Sequence, residues 1–167
     1  FDIHYSFEPK DVAKYKLRFL TNFYYNTNRH PNPTNDIYFI GTFDERIKII
    51  QDVIQSVSKY DKKIQILLQS KHQNIIDKYQ SEHITFIKNT ITFEESEKIY
   101  NNSKVILDVQ KTIQKGLTFR VFEAMGKGKK LITTNDDIVS YDFYNPTNIF
   151  IWTEHTTSLT LSFFETP

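Results

Sequence analysis

Arg120 and Glu123 stand three residues apart in a stretch that reads as a short helix, so they share one helix face. A helix start aims free N–H groups and a positive dipole end outward, and an Arg beside it suits a phosphate. A Glu one turn further on can accept hydrogen bonds from sugar hydroxyls. The residues before the pair fit the same chemistry. Gly116 allows a tight turn or a close backbone approach to a ligand, and Thr118 stands where a helix cap belongs. Phe119, Phe122 and Met125 recur at helical spacing and are expected to face a core. Gly126 and Gly128 end the helix, and Leu131 to Thr134 resumes as a strand.

The same residues also have plainer readings. Arg120 and Glu123 could form an ordinary surface ion pair, worth little. Lys127, Lys129 and Lys130 read as a solvated turn, with a membrane-surface patch as the minority reading. The five His residues show no metal-ligand spacing. Asp136-Asp137 follows a strand and precedes a helix, where capping is the simpler role.

The elements that must position the pair follow from the pattern along the chain. Phe1 to Phe7 has strand-like composition, Asp11 to Tyr15 reads as a helical turn, and Leu17 to Tyr24 as a strand. Asn26 to Asn35 is rich in Asn and Pro and marks a linker. The expected division is therefore a crossing segment over 1–35 and a domain over 36–167. In the domain, Asp36 to Ile40 is a strand ended by Gly41. Asp44 to Lys59 carries an apolar stripe at helical spacing. Strand Ile64 to Leu68, helix Gln73 to Gln80 and strand Ile84 to Ile87 come next. Phe93 to Asn101 is a helix capped by Thr92 with acidic residues in its first turn. Strand Val105 to Val109 leads to the focal helix. After Leu131 to Thr134 come helix Asp137 to Phe143, strand Ile149 to Trp152 and a last helix from Thr157 to Phe164.

Strand and helix alternate from Asp36 onward. That order predicts an α/β class, a Rossmann-like three-layer α/β/α domain with a parallel sheet. Ligands in such a sheet bind outside the carboxyl ends of the strands. Three loops belong to that edge: Gly41 to Arg46, Gln69 to Lys71, and Val109 to Arg120. No Gly-x-Gly-x-x-Gly follows the first strand and there is no Walker-type lysine loop, which argues against nicotinamide, flavin or P-loop nucleotide sites.

Composition sets the outer bounds. The chain has 167 residues, a net charge of +1, 39% hydrophobic residues and no Cys. The charge gives no reason to expect a nucleic-acid partner. Without Cys there is no disulfide framework and no Cys-based metal or redox site. No apolar run reaches the length of a membrane helix, and no signal-peptide pattern opens the chain. The chain begins at Phe1 inside what looks like ongoing structure, and is expected to be a fragment of a longer protein.

At this point the residues carry a resemblance. Gly116-Leu117-Thr118-x-Arg120, then Glu123-Ala124, then Lys129-Lys130-Leu131-Ile132-Thr133-Thr134-Asn135 resembles the donor-binding signature of GT-B fold glycosyltransferases, more narrowly those of bacterial lipopolysaccharide and capsular polysaccharide biosynthesis. Asp36-Ile37-Tyr38-Phe39-Ile40-Gly41 followed by Arg46 looks like the first strand and loop of the donor domain. Ser6-Phe7-Glu8-Pro9-x-Asp11 and the Phe19 to Tyr24 run look like the segment leading into it.

The resemblance implies one half of a GT-B fold, the second, donor-binding domain, with an N-terminal domain missing. It implies a hexosyltransferase-type enzyme that moves a sugar from a nucleoside-diphosphate sugar to a glycan or lipid-linked acceptor. The expected place is the cytoplasm, with possible peripheral contact at the inner membrane face. No cofactor or metal is implied. Glu123 matches the Glu that bonds the nucleotide ribose, and Arg120 becomes a diphosphate contact. Gly116, Leu117, Thr118 and Gly41 fall in the donor-binding loops. Arg46 and Lys71 are expected to neutralise the leaving diphosphate. The catalytic base is expected on the missing domain, and this chain alone is expected to be inactive. In one respect the chain departs from the pattern: Lys115 stands where the superfamily has the first Glu of a pair whose second matches Glu123, which leaves retention or inversion of the sugar open.

Two other readings stand beside this one. One is a sugar-nucleotide-binding domain without activity, which Lys115 favours. The other is a flavodoxin- or receiver-like module that binds a partner protein. A receiver needs acidic residues at the tips of its strands, and the strand predicted to end in Val109-Gln110 lacks one.

Overall fold

The computed structural model describes residues 3–24, 27–29, 32–156 and 158–166. A short parallel pair, β1 (Tyr5–Ser6) and β2 (Arg18–Phe19), brackets α1 (Pro9–Tyr15). The remaining chain alternates: β3 (Asn35–Thr42), α2 (Ile47–Val57), β4 (Ile64–Gln69), α3 (Gln73–Tyr79), β5 (Ile84–Ile87), α4 (Phe93–Asn101), β6 (Ser103–Asp108), α5 (Phe119–Gly126), β7 (Lys130–Thr133), a 3-10 turn (Asp136–Ser140), β8 (Ile149–Ile151) and α6 (Leu161–Glu165).

The main sheet has six parallel strands in the order β5-β4-β3-β6-β7-β8. The chain winds outward from β3 in one direction, then returns and winds outward from β6 in the other. That is the Rossmann order, with its switch point between β3 and β6; a flavodoxin-like domain would run 2-1-3-4-5. The expected three-layer α/β/α architecture is thus present.

Alternation along the strands decides which layer each helix joins. Ile37 and Phe39 of β3, with Val105 and Leu107 of β6, face Ile50 and Val53 of α2 and Phe163 of α6. Tyr38 and Ile106 face the other way, toward Tyr100 of α4 and Val121 and Phe122 of α5. Both faces are covered, so the central strands read as continuous apolar runs rather than alternating ones. Each fully buried Ile, Val or Phe here contributes about 1.5–3 kcal/mol. Helix α4 starts on a complete capping box. Thr92 Oγ1 accepts from the Glu95 N–H at 3.2 Å, and a Glu95 carboxylate oxygen accepts from the Thr92 N–H at 2.8 Å. Such a cap is worth about 1 kcal/mol.

Several sequence expectations need correction. Strand β3 runs through Gly41 to Thr42, where its pairing with Gln69 carries it past the glycine. The two expected N-terminal strands shrink to two residues each, because they pair only with one another and their side chains stay largely exposed. The helix expected over Asp137 to Phe143 is a 3-10 turn, started by an Asn135 side chain that accepts from the Asp137 N–H at 3.0 Å. Phe119 does not join the core. At the first turn of α5 it points toward the N-terminal segment and meets Phe23 edge-on at 6.3 Å. Phe1, Asn26, His30, Pro31, Thr157 and Pro167, which fall in other expected segments, lie outside the described residues.

Candidate functional site

The carboxyl ends of β3 and β6 diverge at the switch point, and two arginines lace them together across it. Arg46 follows β3 and donates from Nη1 to the Val109 carbonyl, just past β6, at 3.1 Å. Arg120 follows β6 and donates from Nη2 to the Ile40 carbonyl of β3 at 2.8 Å. Both guanidinium groups lie over the Phe39 ring, at 5.6 and 5.1 Å from its centroid. Two guanidinium groups therefore converge on one ring where this fold receives ligands.

Each arginine has an acidic partner. Asp44 takes Arg46 in a two-pronged pair, Nε to Oδ1 at 2.7 Å and Nη2 to Oδ2 at 2.8 Å. Burial alone would raise the Asp44 pKa, but its bonds to Arg46 outweigh that and hold it below the usual value. Asp108 is the last residue of β6 and its side chain is 1% exposed. It accepts from Thr118 Oγ1 at 2.9 Å, from Thr133 Oγ1 at 3.1 Å and, more weakly, from Arg120 Nη1 at 3.4 Å. Thr118 does occupy the cap position of α5, but its hydroxyl serves Asp108 and not the helix N–H groups. The strand expected to end without an acidic residue does carry one, Asp108; it is enclosed by these donors rather than presented at the edge.

Glu123 lies one turn beyond Arg120 on α5. It is half-buried, and its side chain makes no hydrogen bond or ion pair among the described residues. Burial raises its pKa above the usual 4.5, against the pull of Arg120 and Lys127. The nearby Tyr38 hydroxyl is fully enclosed and has no hydrogen-bond partner of good geometry, Ser96 being its neighbouring hydroxyl. Ser96 also lines a cavity of about 240 Å³ at the carboxyl edge. Its walls come from the end of β3, including Gly41, and from the turn between β5 and α4, including Ile91 and Phe93.

The loop from Val109 to Thr118 is shaped from below by the N-terminal segment. Gly116 is in close contact, as expected, but with the protein itself: a Cβ there would stand 2.2 Å from the Phe7 carbonyl oxygen. The Lys115 and Gly116 N–H groups donate to the Glu8 carboxylate at 2.7 and 3.0 Å. Leu117 is 2% exposed and packs in the core beside α5, while its carbonyl accepts from Asn22 Nδ2 at 2.9 Å. Lys71 is exposed on the loop after β4 and has no hydrogen bond or ion pair among the described residues.

The structure thus brings Arg46, Arg120, Thr118 and Gly41 to the switch point, with Glu123 one turn away, and leaves Lys71 apart. Three contributors stand outside the residues expected from sequence. Asp108 carries a signal, a charge closing an apolar strand. Glu8 also carries one, an acidic residue before a helix-opening Pro, but nothing local shows that it reaches residue 116. Tyr38 carries none. Among the described residues no group of metal-ligating side chains is present and no helix is long and apolar enough to cross a membrane. No family model matches the chain, and comparison with curated proteins finds no match.

Proposed function

We infer that this chain is the donor-binding domain of a glycosyltransferase and that the switch-point crevice receives a nucleoside-diphosphate sugar. The observation that carries the reading is Glu123: a half-buried carboxylate, one turn from an arginine at the carboxyl edge, with its acceptor capacity unused by the protein. In this reading Glu123 accepts from the ribose hydroxyls. Arg120 and the opening N–H groups of α5 face the diphosphate, helped by the positive end of the helix. The cavity beside Ser96, with apolar walls from Ile40, Ile91 and Phe93, takes the base. Arg46 supports the site mainly by fixing the β3 and β6 ends, since Asp44 already holds its guanidinium. Transfer would need the acceptor-side domain, and the acceptor would be a glycan or a lipid-linked sugar.

Calorimetric titration of this chain with UDP, GDP, ADP and CMP tests the reading. Saturable binding of one nucleotide is expected. Glu123→Ala should weaken it by about tenfold to a hundredfold, the cost of a lost charged hydrogen bond. No binding by the folded chain, or unchanged affinity in a folded Glu123→Ala variant, overturns the assignment.

A nucleotide-binding domain without transfer activity is the second reading. One observation favours it: the Lys115 and Gly116 N–H pair, where an anionic donor group would rest, is filled by Glu8. Donor hydrolysis by a longer chain that contains this one would decide for the enzyme.

A further inference from the structure

A larger cavity lies at the opposite edge of the sheet. It measures about 700 Å³ and opens where β6, β7 and β8 begin and α5 ends. That volume is in the range of small-molecule sites. Its lining is strongly basic, with Arg29, Lys104, Lys127, Lys129 and Lys130 around one space. Two carboxylates answer them. Asp36 accepts from Lys104 Nζ at 2.9 Å, and Glu97 from Lys127 Nζ at 2.8 Å. Arg29, Lys129 and Lys130 have no acidic partner among the described residues.

Free surface lysines swing apart. These are held together. Asn101 binds two of them at once, its side-chain oxygen accepting from Lys127 Nζ at 2.8 Å and its backbone carbonyl from Lys129 Nζ at 2.6 Å. Lys130 is fixed in turn by the Thr147 carbonyl at 2.8 Å and the Thr166 hydroxyl at 2.7 Å. The Lys127 side chain is 3% exposed, so the solvated turn expected from sequence is here a built cluster. Burial, and then the charge of Lys127, lowers the pKa of Lys129 to about 8. Gly128, at φ +60°, makes the turn that sets Lys127 and Lys129 on either side, and Arg29 packs its guanidinium against that glycine. The carboxyl end of α5 supplies a partial negative charge beside Lys127, which is too small to balance the cluster.

We propose that this basic cavity is a second binding site, separate from the crevice at the carboxyl edge, and that it takes a phosphorylated ligand carrying at least two negative charges. Lysines held as point charges and one arginine with a planar fork are suited to phosphate oxygens. The phosphate could belong to a soluble molecule or to a lipid headgroup; the chemistry is the same, and the site does not depend on how the other edge is used.

The test is an amide-resolved NMR titration of this chain. One arm uses inorganic pyrophosphate, the other vesicles of phosphatidylcholine with and without phosphatidic acid, whose monoester phosphate carries up to two negative charges. Saturable shifts at Gly128 and Lys129, with Gly41 and Gly116 unmoved, are expected in at least one arm. Response to pyrophosphate identifies a soluble ligand; response only to the anionic vesicles identifies a headgroup. Arg29→Gln and Lys129→Gln should each weaken the response by about tenfold, and unshifted amides elsewhere show that the variants fold. Silence in both arms, shifts confined to Gly41 and Gly116, or a response that survives both substitutions overturns the proposal.

Discussion

The Glu8 carboxylate accepts a hydrogen bond from the Gly116 N–H at 3.0 Å, joining the N-terminal segment to the loop that leads into α5. A second bond to the Lys115 N–H at 2.7 Å and a third to the Lys10 N–H at 3.2 Å complete the set. Lys10 Nζ reaches the Ile113 carbonyl at 3.2 Å, and Asn22 reaches that of Leu117 at 2.9 Å. The segment is thus a strap on the loop that precedes the candidate site. Burial would raise the pKa of Glu8, but the N–H groups of Gly116, Lys115 and Lys10 outweigh it and hold the carboxyl below its usual 4.5. A carboxyl lowered by folding stabilises the fold above its unfolded pKa, and that contribution is lost as pH falls through the folded value. Glu8→Gln should therefore speed amide hydrogen exchange at Lys115 and Gly116 at neutral pH, and wild type should show the same change only below about pH 4.5. Unaltered protection at both amides in the variant would show that the strap is held by something else.

Gly116→Ala tests the same contact from the other side. The added Cβ would meet the Phe7 carbonyl oxygen at 2.2 Å and its carbon at 2.9 Å, and backbone atoms cannot rotate away. The expected cost is about 1–3 kcal/mol, as for other overpacked sites. Urea denaturation should show a lower midpoint, and the ring signals of Phe7 should move. A substitution with no effect on either would mean that the strap yields freely.

Much of the fold is legible in the sequence because it rests on local regularities. The stripe Ile47, Ile50, Val53, Val57 is a helix at the right spacing, and Thr92 with Glu95 marks a helix start. The apolar runs over residues 36–40, 64–68 and 105–109 give the central strands. The candidate site is less legible, because its contacts are long-range. Arg120 can be picked as an anion contact from its place at a helix start, but its bond to Ile40 spans 80 residues. That of Arg46 to Val109 spans 63. The apparent freedom of Gly116 and Thr118 to meet a ligand is used by Phe7 and Asp108, which no local pattern reveals.

Asp108→Asn bears on how the switch point is held. The carboxylate is enclosed and takes three side-chain donors, from Thr118, Thr133 and Arg120. Asparagine keeps the shape but supplies one acceptor oxygen and no charge. A loss of about 2 kcal/mol is expected from the weakened charged bonds and the exposed need of Arg120 for a partner. Equilibrium denaturation measures it, and Asp44→Asn, whose carboxylate is less enclosed, should cost less. Equal costs would place the main support on Arg46 instead.

The basic cavity has its own signature in alkaline stability. Lys129 has a folded pKa of about 8 against its ordinary 10.5. Between these values the unfolded chain keeps a proton that the folded chain has released, so stability rises with pH there. Below about pH 8 the penalty of the charged form is present in full. At the upper end Tyr38 and Tyr100 act in the opposite sense, since burial raises their pKa above 10.0 and the unfolded chain ionises first. The clean window is therefore pH 8 to 10. Lys129 is half exposed, so screening reduces the effect to about 1 kcal/mol. Denaturation midpoints in wild type should climb across that window. In Lys129→Gln the climb should shrink to the remainder left by Lys130, whose pKa burial also lowers. A climb of the same size in the variant would remove Lys129 as its source.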